Sequence, residues 1–78
     1  MSIQDRYEAV FGFNSKQWWV YDSDNDRYID PPKDVLDSLP YWREDPDAAK
    51  KAFQMIINEL PNWLNDEDYQ YDAEEMDI

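Results

Sequence analysis

No lysine or arginine follows Lys51, and the 27 residues after it carry eight carboxylates, most of them in the run Asn65-Asp66-Glu67-Asp68-Tyr69-Gln70-Tyr71-Asp72-Ala73-Glu74-Glu75-Met76-Asp77-Ile78. A segment of one sign with aromatics set into it is either a solubilising tail or an interaction surface. Its field repels nucleic acid and attracts the basic groove of a protein that binds nucleic acid.

The rest of the chain must fold with little help. At 78 residues there is one small domain, which buries only about 60% of the surface its unfolded chain exposes. Cysteine and histidine are both absent, so neither a disulfide nor a thiolate or imidazole metal site can staple it. Packing therefore falls to four Trp, six Tyr and three Phe. Against them, 19 acidic and 7 basic residues leave a net charge of −12, whose self-repulsion opposes compaction. No apolar run reaches the roughly 18 residues of a membrane span, and the first residues lack the basic-then-apolar layout of a secretory signal. The expectation is a cytoplasmic protein with no membrane association.

Along the chain, Ser2 and Asp5 resemble a helix N-cap box, and Ile3, Tyr7, Val10 and Phe11 recur at helical spacing. This predicts a first helix over residues 3–11, closed by Gly12 as a left-handed C-cap with Phe13 folded back on the last turn. Gln17-Trp-Trp-Val-Tyr21 and Arg27-Tyr28-Ile29 flank the turn-forming Asp22-Ser23-Asp24-Asn25-Asp26 and predict a β-hairpin. Trp18 and Val20 share one face of it, Trp19 and Tyr21 the other. Asp30 before Pro31-Pro32 predicts a capped helix over Lys33 to Leu39, with Val35, Leu36 and Leu39 inward. Asp45-Pro46-Asp47 repeats the start signal, and Ala49, Phe53, Ile56, Ile57 and Leu60 form an apolar stripe to about Leu60, with Lys50, Lys51, Gln54 and Asn58 off it. Pro61 breaks the chain, and Asn62-Trp63-Leu64 docks a further turn. The fold class is α+β: a single small domain, about three short helices on a two-stranded antiparallel β-hairpin. Residues 1–64 form the compact part, and 65–78 are an acidic aromatic tail that docks on the domain or on a partner.

Catalytic chemistry finds little footing. Without His or Cys, Ser2, Ser15, Ser23 and Ser38 have no plausible base, and one glycine cannot build a phosphate-binding loop. Paired carboxylates could serve glycoside hydrolysis only inside a cleft that so short a chain does not easily enclose. The expectation is that the protein is not an enzyme and holds no cofactor. Direct nucleic-acid binding is disfavoured too, since the seven basic residues are scattered among more numerous acids.

Asp22-Ser23-Asp24-Asn25-Asp26-Arg27-Tyr28-Ile29-Asp30 resembles the first nine positions of an EF-hand calcium loop, with oxygen ligands at positions one, three, five and nine. The pattern lacks the glycine at position six, where Arg27 stands, and the bidentate glutamate at position twelve, where Lys33 stands. An Asp/Asn-rich hairpin turn whose carboxylates cap local N–H groups accounts for the same residues. A weak calcium-responsive module stays as an alternative, with no metal ligand assigned.

Two acidic segments remain, the hairpin turn with the nearby Asp34 and Asp37, and the tail. Carboxylates on a scaffold can occupy the positions of phosphates in a basic groove, and tyrosines among them supply apolar anchors. The candidate partner-binding residues are Asp22, Asp24, Asp26 and Asp30 of the hairpin with Asp66, Glu67, Asp68, Tyr69, Tyr71, Asp72, Glu74 and Glu75 of the tail. The profile is similar in kind to small phage-encoded inhibitors of host defence, including DNA mimics and some anti-CRISPR proteins. That similarity is compositional and carries over no residue. The expected partner is a basic nucleic-acid-binding protein, such as a CRISPR effector or a restriction enzyme. An immunity protein or antitoxin against a basic toxin nuclease is the alternative.

Overall fold

The computed structural model describes residues 6–78 as a four-stranded antiparallel sheet in sequential order β1-β2-β3-β4, with two α-helices between the last two strands. The strands are β1 (Tyr7–Gly12), β2 (Gln17–Asp22), β3 (Arg27–Ile29) and β4 (Gln70–Asp72); the helices are α1 (Lys33–Ser38) and α2 (Pro46–Asn58). Single 3₁₀ turns at Asn62–Asn65 and Glu67–Tyr69 lead from α2 into β4. The class is α+β, but with four strands where a two-stranded hairpin was expected and two α-helices where about three were expected.

The expected first helix is the largest correction. Its part at residues 3–5 lies outside the described residues; from Tyr7 on the chain is strand β1, paired along its length with β2 from Tyr7 opposite Asp22 to Gly12 opposite Gln17. Tyr7, Ala9 and Phe11 also recur with period two, and that period wins because β2 supplies a partner ladder and α2 covers the face they share. Gly12 is no left-handed cap: glycine is needed there because a Cβ would lie 2.5 Å from Ser15 Oγ, 2.7 Å from the Ile78 main-chain oxygen and 2.9 Å from Trp19 Nε1. Lys16 takes the left-handed turn position instead, at φ 61°. Phe13 stays 72% exposed.

One face of the sheet carries the core. Tyr7, Ala9, Trp18, Val20 and Ile29 pack against Ala49, Phe53 and Ile57 of α2 and Leu64 of the first 3₁₀ turn, with Val35, Leu36 and Leu39 closing one side. Asp45 caps α2 by accepting a hydrogen bond from Ala48 N at 3.0 Å, and Pro46 opens its first turn, as the start signal implies. The matching expectation for α1 fails. Asp30 does not cap that helix, which starts after Pro32 with no side-chain cap, and its carboxylate accepts from Gln17 Nε2 at 2.9 Å. At the far end of α2, Leu60 is exposed rather than inward, because the chain turns left-handed there (φ 55°) ahead of Pro61.

Gln54 stands off the apolar stripe of α2 and is half-buried. Its side chain reaches the free edge of β1, where Oε1 accepts from Ala9 N at 3.0 Å and Nε2 donates to Tyr7 O at 3.2 Å. One amide thus stands in for a fifth strand and closes an edge open to pairing with other chains. Gln54→Ala should lower stability in urea unfolding by about 1–3 kcal/mol, since it leaves the Ala9 N–H without its partner. Lys51→Ala, on the exposed side of the same helix, should stay within about 0.5 kcal/mol of the parent. Equal small losses in the two variants would show that the edge bonds contribute nothing.

Candidate functional site

The acidic segment is built into the sheet. Gln70, Tyr71 and Asp72 of β4 lie opposite Ile29, Tyr28 and Arg27 of β3, and the ladder continues past both ends as Asp30 N to Tyr69 O (2.8 Å) and Ala73 N to Asp26 O (3.1 Å). The two acidic segments of the sequence therefore share one edge of the molecule. Asp26 borders Asp72, Glu74 and Glu75 at one end of β4, while Asp30 borders Asp66, Glu67 and Asp68 at the other.

The chain beyond β4 is fastened as well. After the turn at Ala73–Glu75, the main-chain oxygen of Ile78 accepts from Asn14 N (2.7 Å) and Ser15 N (3.1 Å), and Asp77 Oδ1 accepts from Asn14 Nδ2 (2.7 Å). The last residues thus run back across the sheet face away from the helices, from the end of β4 to the β1–β2 turn. Trp19 lies on that outer face and yet is only 6% exposed, with Tyr71 edge-on to it at 6.1 Å and Ser15 Oγ accepting from its indole N–H at 2.8 Å.

Asp22 differs from the other candidate acids, because it is 1% exposed and fully engaged. Arg6 Nε and Nη2 donate to its two oxygens at 2.9 and 3.1 Å, Asp24 N donates to Oδ1 at 3.1 Å, and Asn25 Nδ2 donates to Oδ2 at 3.1 Å. It organises the turn from within and cannot at the same time reach a partner. Burial pushes its carboxyl up, but the hydrogen bonds from Arg6 and Asn25, the Arg6 charge and the Asp24 N–H together outweigh that and hold it below the usual carboxylate range. The EF-hand-like run loses its first position to this pairing, and its positions six to eight are strand β3. Among the described residues, no three Asp, Glu, His or Cys side chains are placed to share a metal ion.

Asp24, Asp26, Asp66, Glu67, Asp68, Asp72, Glu74 and Glu75 are exposed. Among the described residues the ion pairs are those of Arg6, to Asp22 at 2.9 Å and more loosely to Asp24 at 3.4 Å, and none of them involves a tail carboxylate. Two tail carboxylates are instead set by local backbone: Asp66 Oδ1 accepts from Asp68 N and Asp72 Oδ1 from Glu74 N. Asp30 is half-buried against Gln17. Tyr69 and Tyr71, at 36% and 42% exposure, stand between the acidic groups.

Register adds residues that sequence reading passed over. Glu8, Tyr21, Tyr28 and Tyr71 lie directly opposite one another across all four strands, on the outer face. Tyr21 and Tyr28 rings are 5.5 Å apart, and the Tyr21 hydroxyl donates to Asp26 Oδ1 at 2.6 Å, a bond that raises its pKa above the ordinary tyrosine value. The only signal for this row was the shared parity of Tyr21 with Tyr28 and Tyr71, which needs the strand pairing before it can be read.

Scans against protein-family models and searches among curated proteins and solved structures find no match to this chain. Among the described residues, no helix is long and apolar enough to cross a membrane.

The Arg6–Asp22 pair fixes a pH dependence. A carboxyl whose folded pKa lies below its unfolded value stabilises the fold above the unfolded pKa, and that contribution is lost as pH falls through the folded one. Asp22→Asn should therefore cost about 2 kcal/mol at pH 7, less than for a wholly buried pair because Arg6 is about a third exposed. The gap between parent and variant should close below about pH 4 in urea titrations, where the reference carboxyl protonates. A gap that stays constant from pH 7 to pH 2 would assign Asp22 a packing role alone.

Proposed function

We propose that this protein is a small stoichiometric inhibitor that imitates the phosphates of nucleic acid and occupies a basic DNA- or RNA-binding surface of another protein, of the anti-CRISPR or anti-restriction kind. It acts by binding and not by catalysis. The observation that carries this reading is the β3–β4 pairing, which brings the acids of the hairpin turn and of the C-terminal segment to one edge where, among the described residues, only Asp22 and Asp24 are ion-paired, both with Arg6.

Rigidity is what separates such an edge from a solubilising tail. A flexible acidic segment loses conformational entropy when it is held against a partner, whereas carboxylates already set by strand pairing and by Asx-type hydrogen bonds lose little. Their charge also steers a basic partner, so association should be fast and strongly weakened by salt, with exposed charges more than about 8 Å apart largely screened at physiological ionic strength. Specificity then falls to the tyrosines set between the acids, since aromatics make the anchors of most interfaces.

The test uses the immobilised protein to capture partners from a bacterial lysate at about 50 mM salt, followed by elution with duplex DNA and, separately, with about 500 mM salt. A captured basic protein should leave under both treatments. The variant with Asp24, Asp26, Asp72, Glu74 and Glu75 changed to their amides should bind it at least about a hundredfold more weakly while keeping the parent's circular dichroism. Capture that survives both DNA and salt, or an undiminished affinity of the amide variant, would contradict phosphate mimicry.

A further inference from the structure

The tyrosine row on the outer face of the sheet is not needed for the core, which lies on the opposite face. Nor is it needed for charge. Tyr28 is half-buried and Tyr71 is 42% exposed, so part of the ring surface stays open beside Asp26, which the Tyr21 hydroxyl reaches, and the turn after β4. The geometry points to a surface that selects arginine over lysine in its partner: a guanidinium stacks on the open ring surface of Tyr28 or Tyr71, which face each other in register, while its N–H groups fork onto the carboxylates at the rim. This inference rests on the proposed basic partner and names the side chain that partner must present.

The chemistry of the two cations separates them. An ammonium is a compact, strongly hydrated charge that carboxylates satisfy by themselves, and aromatic rings beside it add little. A guanidinium is planar and weakly hydrated, stacks on aromatic faces and bonds carboxylates through a flat fork, so a site with both elements favours it. The chain's own arginines show the same chemistry: Arg6 lies over the Tyr7 ring at 4.9 Å, and Arg43 over the Trp42 ring at 4.8 Å. Among the described residues no arginine of this chain stacks on Tyr21, Tyr28 or Tyr71, which leaves that row for an arginine from outside.

The experiment titrates the whole protein with nona-arginine and nona-lysine peptides of equal charge, following heat by calorimetry and amide shifts by NMR. Nona-arginine should bind about tenfold more tightly, with its largest shifts at Tyr21, Tyr28 and Tyr71. Changing Tyr28 and Tyr71 together to Leu should bring the two affinities within about twofold of each other while leaving that of nona-lysine unchanged; changing both to Phe, which keeps the rings, should preserve the preference. Equal affinities for the unaltered protein overturn the inference and leave phosphate mimicry standing, because mimicry requires only charge. Arginine shifts centred on Phe13 and Trp42 also overturn it, and that observation needs no variant. Binding of neither peptide defeats both readings. A captured partner that DNA fails to displace defeats mimicry alone.

Discussion

Three residues of an acidic segment, paired in register with three residues of a hairpin, close the sheet on which the rest of this structure depends. The pairing of β4 with β3 works against charge, since it brings Asp72, Glu74 and Glu75 beside a turn that already carries Asp24 and Asp26. What offsets the repulsion is visible in the register. Arg27 stands between Asp22 and Asp72 in neighbouring strands, Tyr28 pairs with Tyr71, and Gln70 joins β4 to the rest by accepting from Arg27 Nη1 and donating to Leu64 O. The remaining carboxylates point to solvent, where the dielectric weakens their mutual repulsion.

Two side-chain devices make that sheet possible in so small a domain. The Arg6–Asp22 fork turns the first aspartate of an acid-rich loop into an internal fastener, so the loop can face outward without opening. Gln54 closes the other edge, at β1, with one amide. The sheet is thus finished by a helix side chain on one side and ends in an acidic strand on the other. An acidic edge also discourages pairing with copies of itself.

Elements governed by local chemistry were legible in the sequence. The hairpin around Asp22–Asp26 and the start of α2 at Asp45-Pro46 rest on turn and cap preferences that act over a few residues, and both stand close to where those preferences put them. Strand β1 was not, because Tyr7, Val10 and Phe11 fit a helical period as well as Tyr7, Ala9 and Phe11 fit a strand period, and only the presence of β2 decides between them. Strand β4 was hidden by its charge: Gln70-Tyr71-Asp72 is too short and too polar to read as a strand, and its partner, Arg27–Ile29, lies far earlier in the chain. At the candidate site, exposed Asp24, Asp26 and the tail acids sit where a solvated surface would put them. The burial of Asp22 depends on Arg6, 16 residues away, and the tyrosine row depends on register, so neither could be seen in the order of residues alone.

The acidic segment is a strand of the protein by itself and not a tail that orders only on a partner. In the β3–β4 ladder, Asp30–Tyr69 and Ala73–Asp26 are hydrogen-bonded positions, so Arg27–Asp72 and Ile29–Gln70 are the close, non-hydrogen-bonded pairs with facing Hα atoms. Nuclear Overhauser spectra of the isolated protein should show Hα–Hα cross-peaks for both pairs, with slowed amide exchange at Tyr28, Asp30, Tyr71 and Ala73. Absence of both cross-peaks, with exchange at Tyr71 and Ala73 as fast as in an unfolded peptide, would show that the hairpin and the acidic segment do not form one surface.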